Sequence, residues 1–185
     1  MSNTRKAGKL IWFHGSSVGE ILSIIPLIHK FEKNKKINQI LVTSSTLSSS
    51  KVFKKYKFKK TIHQFFPIDT KVIVKKFLNY WRPNTVFFIE SEIWPNFINE
   101  IKNAGIKLIL LNGRITKKSY NRWIKLKNFS NYLFKKFDLC LSQNQETLNY
   151  LKLLGAKNIK NYGNLKFSEH IEKQNIIKNK YLDNF

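Results

Sequence analysis

Short apolar runs alternate along this chain with longer stretches in which apolar residues recur every three or four positions. That alternation is the rhythm of strands interleaved with helices, as a parallel α/β sheet requires. Strands are predicted over Leu10 to His14, Gln39 to Thr43, Ile62 to Phe66, Thr85 to Ile89, Lys107 to Leu111, Leu139 to Ser142 and Ile159 to Tyr162. Between the first two, Ile21, Leu22, Ile25, Leu27 and Ile28 fall close to helical spacing and predict a helix from Val18 to Phe31, with Pro26 able to kink it. Asp69 is placed to cap a helix through Trp81, and Arg82-Pro83-Asn84 punctuates the return to a strand. Asn144 starts a helix that ends near Leu154-Gly155, where Gly155 fits a helix C-terminus. The fold class is therefore α/β, a Rossmann-like parallel sheet flanked by helices.

Composition narrows this picture. With 185 residues, 42% of them apolar and 14% aromatic, the chain suits one globular domain with a proper core. No run of 18 uninterrupted apolar residues occurs, and the opening eight residues have no apolar core of the signal-peptide kind. A single cysteine, Cys140, lies in an apolar run and reads as a small core residue, so neither an internal disulfide nor a cysteine-rich metal site is expected.

Charge changes the picture most. Thirty-four Lys and Arg face 11 Asp and Glu, a net charge of +23. Such a balance reflects either compositional drift toward Lys and Asn or attraction to an anionic surface. Only Arg5, Arg82, Arg114 and Arg122 of the 34 cations are arginines, the residue suited to forked phosphate and base contacts, so nucleic acid is the weaker candidate and an anionic lipid fits as well. From Lys51 to Lys60 six of ten residues are Lys, interleaved with Val52, Phe53, Tyr56 and Phe58, which reads as a solvated face with its apolar residues turned inward. The segment Tyr120 to Phe137 mixes nine apolar or aromatic residues with Arg122, Lys125, Lys127, Lys135 and Lys136, a blend that suits either a core or a membrane interface.

Four local patterns sit where a doubly wound sheet holds its ligands, at the carboxyl ends of strands. In His14-Gly15-Ser16-Ser17-Val18-Gly19-Glu20 a strand enters a small-residue turn, and Glu20 sits near a helix start, where it reads equally as a charge favoured by the helix dipole and as a base. In Glu90-Ser91-Glu92-Ile93-Trp94-Pro95-Asn96 two carboxylates follow an apolar strand directly; their mutual repulsion and desolvation make a purely structural role costly. Asn112-Gly113-Arg114, with Ser119 shortly after, offers a cation that can grip a phosphate or carboxylate. Gly163-Asn164-Leu165-Lys166-Phe167 places a lysine just beyond the last strand.

Taken in order, His14-x-x-Ser17-Val18-Gly19-Glu20, Phe66-Pro67-x-Asp69, Glu90-x-Glu92-x-Trp94-Pro95-Asn96, Asn112-x-Arg114 with Ser119, Leu154-Gly155-Ala156 and Gly163-Asn164-Leu165-Lys166-Phe167 resemble the N-terminal half of the 3-deoxy-D-manno-octulosonic acid (Kdo) transferases of lipopolysaccharide synthesis. The resemblance covers about residues 10 to 168. It implies the GT-B arrangement of two facing Rossmann-like domains and inverting transfer of Kdo from CMP-Kdo to the 6'-hydroxyl of the lipid A precursor, lipid IVA. By position it makes Glu20 the catalytic base and Glu90 and Lys166 transition-state stabilisers. His14, Ser17, Gly19, Glu92, Trp94, Asn96, Asn112, Arg114 and Ser119 become substrate-binding candidates. No cofactor or metal is expected.

The same resemblance implies a domain plan: residues 1–9 as a disordered or truncated start, 10–168 as the acceptor-binding domain, 169–185 as the start of an interdomain linker. The donor-binding domain, with most CMP-Kdo contacts, lies outside the chain. Two features depart from the family pattern. Its hydrophobic membrane-proximal opening has no counterpart in this sequence, and Ser168 stands where the family carries Asp. Partners implied are CMP-Kdo, the lipid A precursor and the cytoplasmic face of the bacterial inner membrane, held peripherally. The alternative is a non-catalytic basic α/β domain binding anionic lipid or nucleic acid.

Overall fold

The computed structural model describes residues 4–165. Its strands are β1 (Leu10–His14), β2 (Gln39–Ser44), β3 (Thr61–Phe65), β4 (Thr85–Ile89), β5 (Lys107–Gly113), β6 (Leu139–Ser142) and β7 (Ile159–Asn161). Helices α1 (Val18–Lys33), α2 (Leu47–Phe53), α3 (Lys71–Trp81), α4 (Pro95–Asn103), α5 (Lys117–Ile124), α6 (Lys127–Phe134) and α7 (Gln145–Leu153) connect them. The strands form one sheet in the order β3-β2-β1-β4-β5-β6-β7, and every pairing is parallel. Strand order therefore reverses between β1 and β4, the crevice where open α/β sheets bind ligands.

Strands covered on both faces explain why they read as apolar runs. Alternate residues of β1, β4 and β5 feed two separate cores. Leu10, Trp12, Val86, Phe88, Leu108 and Leu110 pack under α3, α4, α6 and α7, while Ile11, Phe13, Phe87, Ile89, Ile109 and Leu111 pack under α1 and α2. Trp12 anchors the first core among Phe77, Phe88 and Phe97, with ring centroids 4.9–5.7 Å away. Fully burying such side chains contributes about 1.5–3 kcal/mol each.

Most helix ends follow the local signals. Helix α1 runs on through Pro26 to Lys33. Asn144 caps α7 by accepting from the Thr147 amide at 2.8 Å. At the other end Gly155, at φ 104°, lets its own amide reach the Lys152 carbonyl and the Ala156 amide reach that of Leu151, a Schellman closure. Asp69 is a correction. Thr70 occupies the cap position of α3 and makes no side-chain cap bond. Asp69 instead reaches across to α4, where its carboxylate accepts from the amides of Asn96 (3.2 Å) and Phe97 (2.9 Å). Helix α4 has Trp94 at its cap position and Pro95 behind it, so neither supplies an acceptor, and Asp69 fills that need from 27 residues away.

The lysine-rich stretch behaves as its pattern suggests: Lys51, Lys54, Lys55, Lys57 and Lys59 are exposed, while Phe53, Tyr56 and Phe58 pack on the core. Tyr120 to Phe137 divides between its two readings. Leu133, Phe134 and Phe137 are buried, whereas Leu126, Phe129 and Tyr132 are 60%, 41% and 44% exposed. Residues 4–9 run along the amino edge of the sheet, where Arg5 Nε donates to the Trp81 carbonyl and Gln39 holds Thr4 and Lys6. Among the described residues no helix is long and apolar enough to cross a membrane.

Candidate active site

The carboxyl ends of β1 and β4 lie side by side, with His14 paired to Phe88, so the segments that leave them meet at the switch point. His14, fully buried, stacks on Phe66 with ring centroids 3.6 Å apart. Its Nδ1 lies 3.0 Å from Thr43 Oγ1, and its Nε2 lies 2.9 Å from Glu92 Oε2. An ionised carboxylate only accepts, so Nε2 carries a proton. The same Glu92 oxygen accepts from Trp94 Nε1 at 2.6 Å. Burial alone would raise the Glu92 carboxyl, but the bond and charge of His14, with the donors Trp94 and Ser16, hold it below its ordinary value.

Glu20 sits in the first turn of α1 and is 9% exposed. Its Oε2 accepts from the Ser16 amide and its Oε1 from the Ser17 hydroxyl, both at 2.8 Å. Ser17 caps the same helix by accepting from the Glu20 amide at 3.2 Å, so Ser17-x-x-Glu20 is a variant of the capping box. A capping carboxylate should ionise easily. Here burial pushes the Glu20 carboxyl up, the Ser17 and Ser16 bonds pull it partly back, and the charges of Glu92 and Glu90 add to the rise. The proton affinities of two neighbouring carboxylates are thus driven apart, that of Glu92 downward and that of Glu20 upward, the pattern of groups with divided acid–base duties.

Glu90 is buried and left-handed at φ 55°, and Asn112, at the matching end of β5, is left-handed at φ 53°. Non-glycine residues held there store backbone strain that surrounding bonds must sustain. Those bonds are the Glu90 amide to the Leu111 carbonyl (3.0 Å) and the Arg114 amide to the Glu90 carbonyl (3.1 Å). Asn112 spends its side chain inward: Oδ1 accepts from the Leu165 amide at 3.1 Å and Nδ2 lies 3.5 Å from Glu90 Oε1.

Of the residues singled out in the sequence, His14, Ser17, Glu20, Glu92 and Trp94 share one cluster, with Glu90 and Asn112 beside it. Gly19 lies in the first turn of α1. Asn96 is occupied by Asp69, to whose carbonyl its Nδ2 donates at 2.6 Å. Arg114 is exposed, and Ser119 sits one turn into α5, where its amide donates to the Thr116 hydroxyl. Lys166 lies outside the described residues. Sequence reasoning passed over Thr43, and it placed Gly15 and Ser16 in the turn without their contacts to Glu20. A Cβ at position 15 would meet Glu20 Cβ at 3.1 Å, so the glycine makes room for the carboxylate. Only the ordered Phe66-Pro67-x-Asp69 pattern signalled the β3 loop that supplies the stacking ring and the α4 cap. Among the described residues no group of three or more His, Cys, Asp or Glu is arranged to hold a metal ion. A shallow groove of about 390 Å³ at the amino edge, between Arg82 and Gly105, lies at the opposite end of the sheet from the carboxylates.

Comparison with known proteins bears on the family and the fold. The family model for 3-deoxy-D-manno-octulosonic-acid transferase (kdotransferase) matches residues 1–169. A Rickettsia felis 3-deoxy-D-manno-octulosonic acid transferase is 41% identical over 88% of the chain, and one from Rickettsia prowazekii is 39% identical over the same share. A probable mitochondrial 3-deoxy-D-manno-octulosonic acid transferase of Arabidopsis thaliana is 40% identical over 66% of the chain. The chain spans 35% of the length of the two rickettsial relatives and 27% of the plant one. Among solved structures, an S. aureus MnaA–UDP co-structure (TM-score 0.61, 12% identity, 92% of this chain and 48% of that one) shares the fold. A putative UDP-N-acetylglucosamine 2-epimerase from Listeria monocytogenes does likewise (TM-score 0.63, 11% identity, 90% and 48%). With a family match over residues 1–169 and relatives 39–41% identical over most of its length, the chain belongs to the 3-deoxy-D-manno-octulosonic acid transferase family.

Proposed function

We propose that this chain is the acceptor-binding half of an inverting Kdo transferase, with Glu20 as its base. Glu20 takes the proton of the acceptor hydroxyl while that oxygen bonds to the anomeric carbon of Kdo; the bond from that carbon to CMP breaks, and its electron pair leaves with the CMP phosphate. The observation that carries the reading is the buried Glu20 carboxylate, oriented by Ser16 and Ser17 and raised in proton affinity beside an ionised Glu92. Glu90 stabilises positive charge developing on the sugar ring, and Lys166 offsets negative charge on the donor carboxylate or departing CMP. His14 and Trp94 hold Glu92, while the exposed Arg114, with the half-buried Ser119 in the first turn of α5, meets an anionic substrate group. CMP-Kdo is held mainly by a donor-binding domain, and lipid IVA is the acceptor.

Peripheral binding to the cytoplasmic face of the inner membrane follows from the same reading. Leu47, Ile68 and Val72, each at least 70% exposed, follow the carboxyl ends of β2 and β3, the edge where Glu20 lies. Lys71, Lys75 and Lys76 are exposed beside Val72 on α3. Each well-placed lysine contributes about 1 kcal/mol near an anionic leaflet.

The test is transfer of labelled Kdo from CMP-Kdo to lipid IVA by this chain combined with a separately supplied C-terminal half. Glu20→Ala is expected to reduce the rate at least about a hundredfold, the lower range for loss of a general base. An unchanged rate in a folded Glu20→Ala protein refutes the base assignment, and no transfer by the wild-type pair refutes the activity.

A further inference from the structure

Beneath the carboxylates, the Thr43 hydroxyl meets two rings of β1. The strands are in register there, His14 pairing with Thr43, and alternation puts Trp12 on the same face as His14. Trp12 Nε1 lies 2.9 Å from Thr43 Oγ1, and His14 Nδ1 lies 3.0 Å from the same oxygen. All three side chains are fully buried, where a polar atom left unpaired is costly.

The donors can be assigned one by one. An indole N–H only donates, so Thr43 Oγ1 accepts from Trp12 and has its own hydrogen left to give. Two acceptors are in reach, His14 Nδ1 at 3.0 Å and the Phe13 carbonyl at 3.5 Å. The shorter contact puts the hydroxyl hydrogen on the Nδ1 lone pair. A singly protonated ring with its hydrogen on Nδ1 would instead crowd Oγ1 with two donors, leave the hydroxyl only the 3.5 Å contact, and turn the Nε2 lone pair toward a Glu92 oxygen 2.9 Å away. Nor can the ring turn over to escape, because it stacks on Phe66 at 3.6 Å and 12° and has the edge of Phe88 at 5.7 Å. A half-turn would set carbons against both Thr43 and Glu92.

Hydroxyl, imidazole and carboxylate in a line have the order of a hydrolytic triad. Thr43 is no nucleophile, however: it is fully buried and Trp12 occupies its oxygen. We propose that Thr43 is a positioning residue: oriented by Trp12, its hydroxyl donates to His14 Nδ1 and fixes the singly protonated ring with its hydrogen on Nε2, aimed at Glu92. A second proton on the ring goes to Nδ1; the hydroxyl then turns toward Phe13, and Nε2–H stays on Glu92. Glu92 Oε2, which also accepts from Trp94 Nε1 at 2.6 Å, is thus held through a chain of bonds rooted in the core. The consequence for Kdo transfer rests on the proposed function, but the tautomer does not.

The experiment records long-range ¹H–¹⁵N correlations of the His14 ring in this chain as it stands, on the limb of its titration where the ring carries one proton. Nε2 is expected to be the protonated nitrogen and Nδ1 a hydrogen-bond acceptor. Thr43→Val, close to threonine in shape, is expected to move the Nδ1 signal toward that of a ring nitrogen without a hydrogen bond and to shift the Trp12 Nε1–H signal; Thr43→Ser is expected to restore both. A singly protonated ring with its hydrogen on Nδ1, or an Nδ1 signal unmoved by Thr43→Val, overturns the proposal. If Thr43→Val does not fold, the wild-type tautomer decides. Failure of Kdo transfer by the reconstituted enzyme would leave these spectra standing, so the two readings fall separately.

Discussion

Glu20 carries two physical loads that pull its proton affinity in opposite directions. As the acidic member of a capping box it receives two hydrogen bonds that favour the carboxylate; as a buried group beside Glu92 and Glu90 it is pushed toward the acid, and the push wins. A base works only when deprotonated, so the rate of Kdo transfer should fall as pH drops through a midpoint above the ordinary glutamate value of 4.5. A rate profile whose acid limb lies at or below that value would contradict the role given to Glu20. The sequence showed Ser17-x-x-Glu20 but could not choose between cap and base, because both need a carboxylate at that place. What raises its proton affinity is burial first, with the charges of Glu92, 72 positions away, and Glu90 adding to it, and the sheet brings both near. Gly15 carries the same lesson in reverse. It reads as a turn glycine, yet the space it leaves is filled by Glu20, so Gly15→Ala is expected to lower the transfer rate by displacing the carboxylate while the fold persists. Transfer at the wild-type rate with an unchanged thermal transition would show that the neighbouring atoms yield freely.

At the scale of elements, the strands were legible almost to the residue because the central ones, β1, β4 and β5, are largely apolar runs buried on both faces, while β3 and β7 at the sheet edges are shorter or mixed and only half-buried. Helix ends were legible where the cap is local, as at Asn144 and Gly155, and illegible where it is not. Asp69 followed by a helical pattern satisfies every local rule for capping α3, but its carboxylate serves α4. No local rule can find a cap donated across 27 positions. The exchange has a functional side, since α4 begins next to Trp94 and Glu92, and Asp69 fixes that beginning. Asp69→Ala is expected to cost about 1–2 kcal/mol of stability, the usual loss for a helix cap, measurable by urea denaturation. It should also weaken transfer by loosening the Glu92 donor set. Asp69→Asn keeps an acceptor and should lose less; a stability equal to wild type in Asp69→Ala would deny the cap any weight.

The whole molecule places one constraint that no element carries alone. Under the proposed function, a lipid anchored in a bilayer presents its sugar hydroxyl to Glu20 only if the carboxyl edge of the sheet faces the membrane. Leu47, Ile68 and Val72 stand exposed on that edge with Lys71, Lys75 and Lys76 nearby, so apolar contact and leaflet charge act on the same face. The second exposed patch, Leu126, Phe129 and Tyr132 with Lys135 and Lys136 at the Tyr132 ring, follows the site only through α5 and α6. Flotation with vesicles containing anionic phospholipid should therefore show binding that weakens with salt, the behaviour expected if the +23 charge serves attraction to an anionic leaflet. The joint substitution Leu47→Ser, Ile68→Ser and Val72→Ser, at side chains at least 70% exposed, should reduce it more than the joint substitution Leu126→Ser, Phe129→Ser and Tyr132→Ser, and only the second should lower thermal stability, since Phe129 stacks on Trp123. The reverse order would turn the α5–α6 face toward the membrane and require the acceptor to reach Glu20 around the edge of the domain, while binding indifferent to salt would remove the electrostatic part of the attraction altogether.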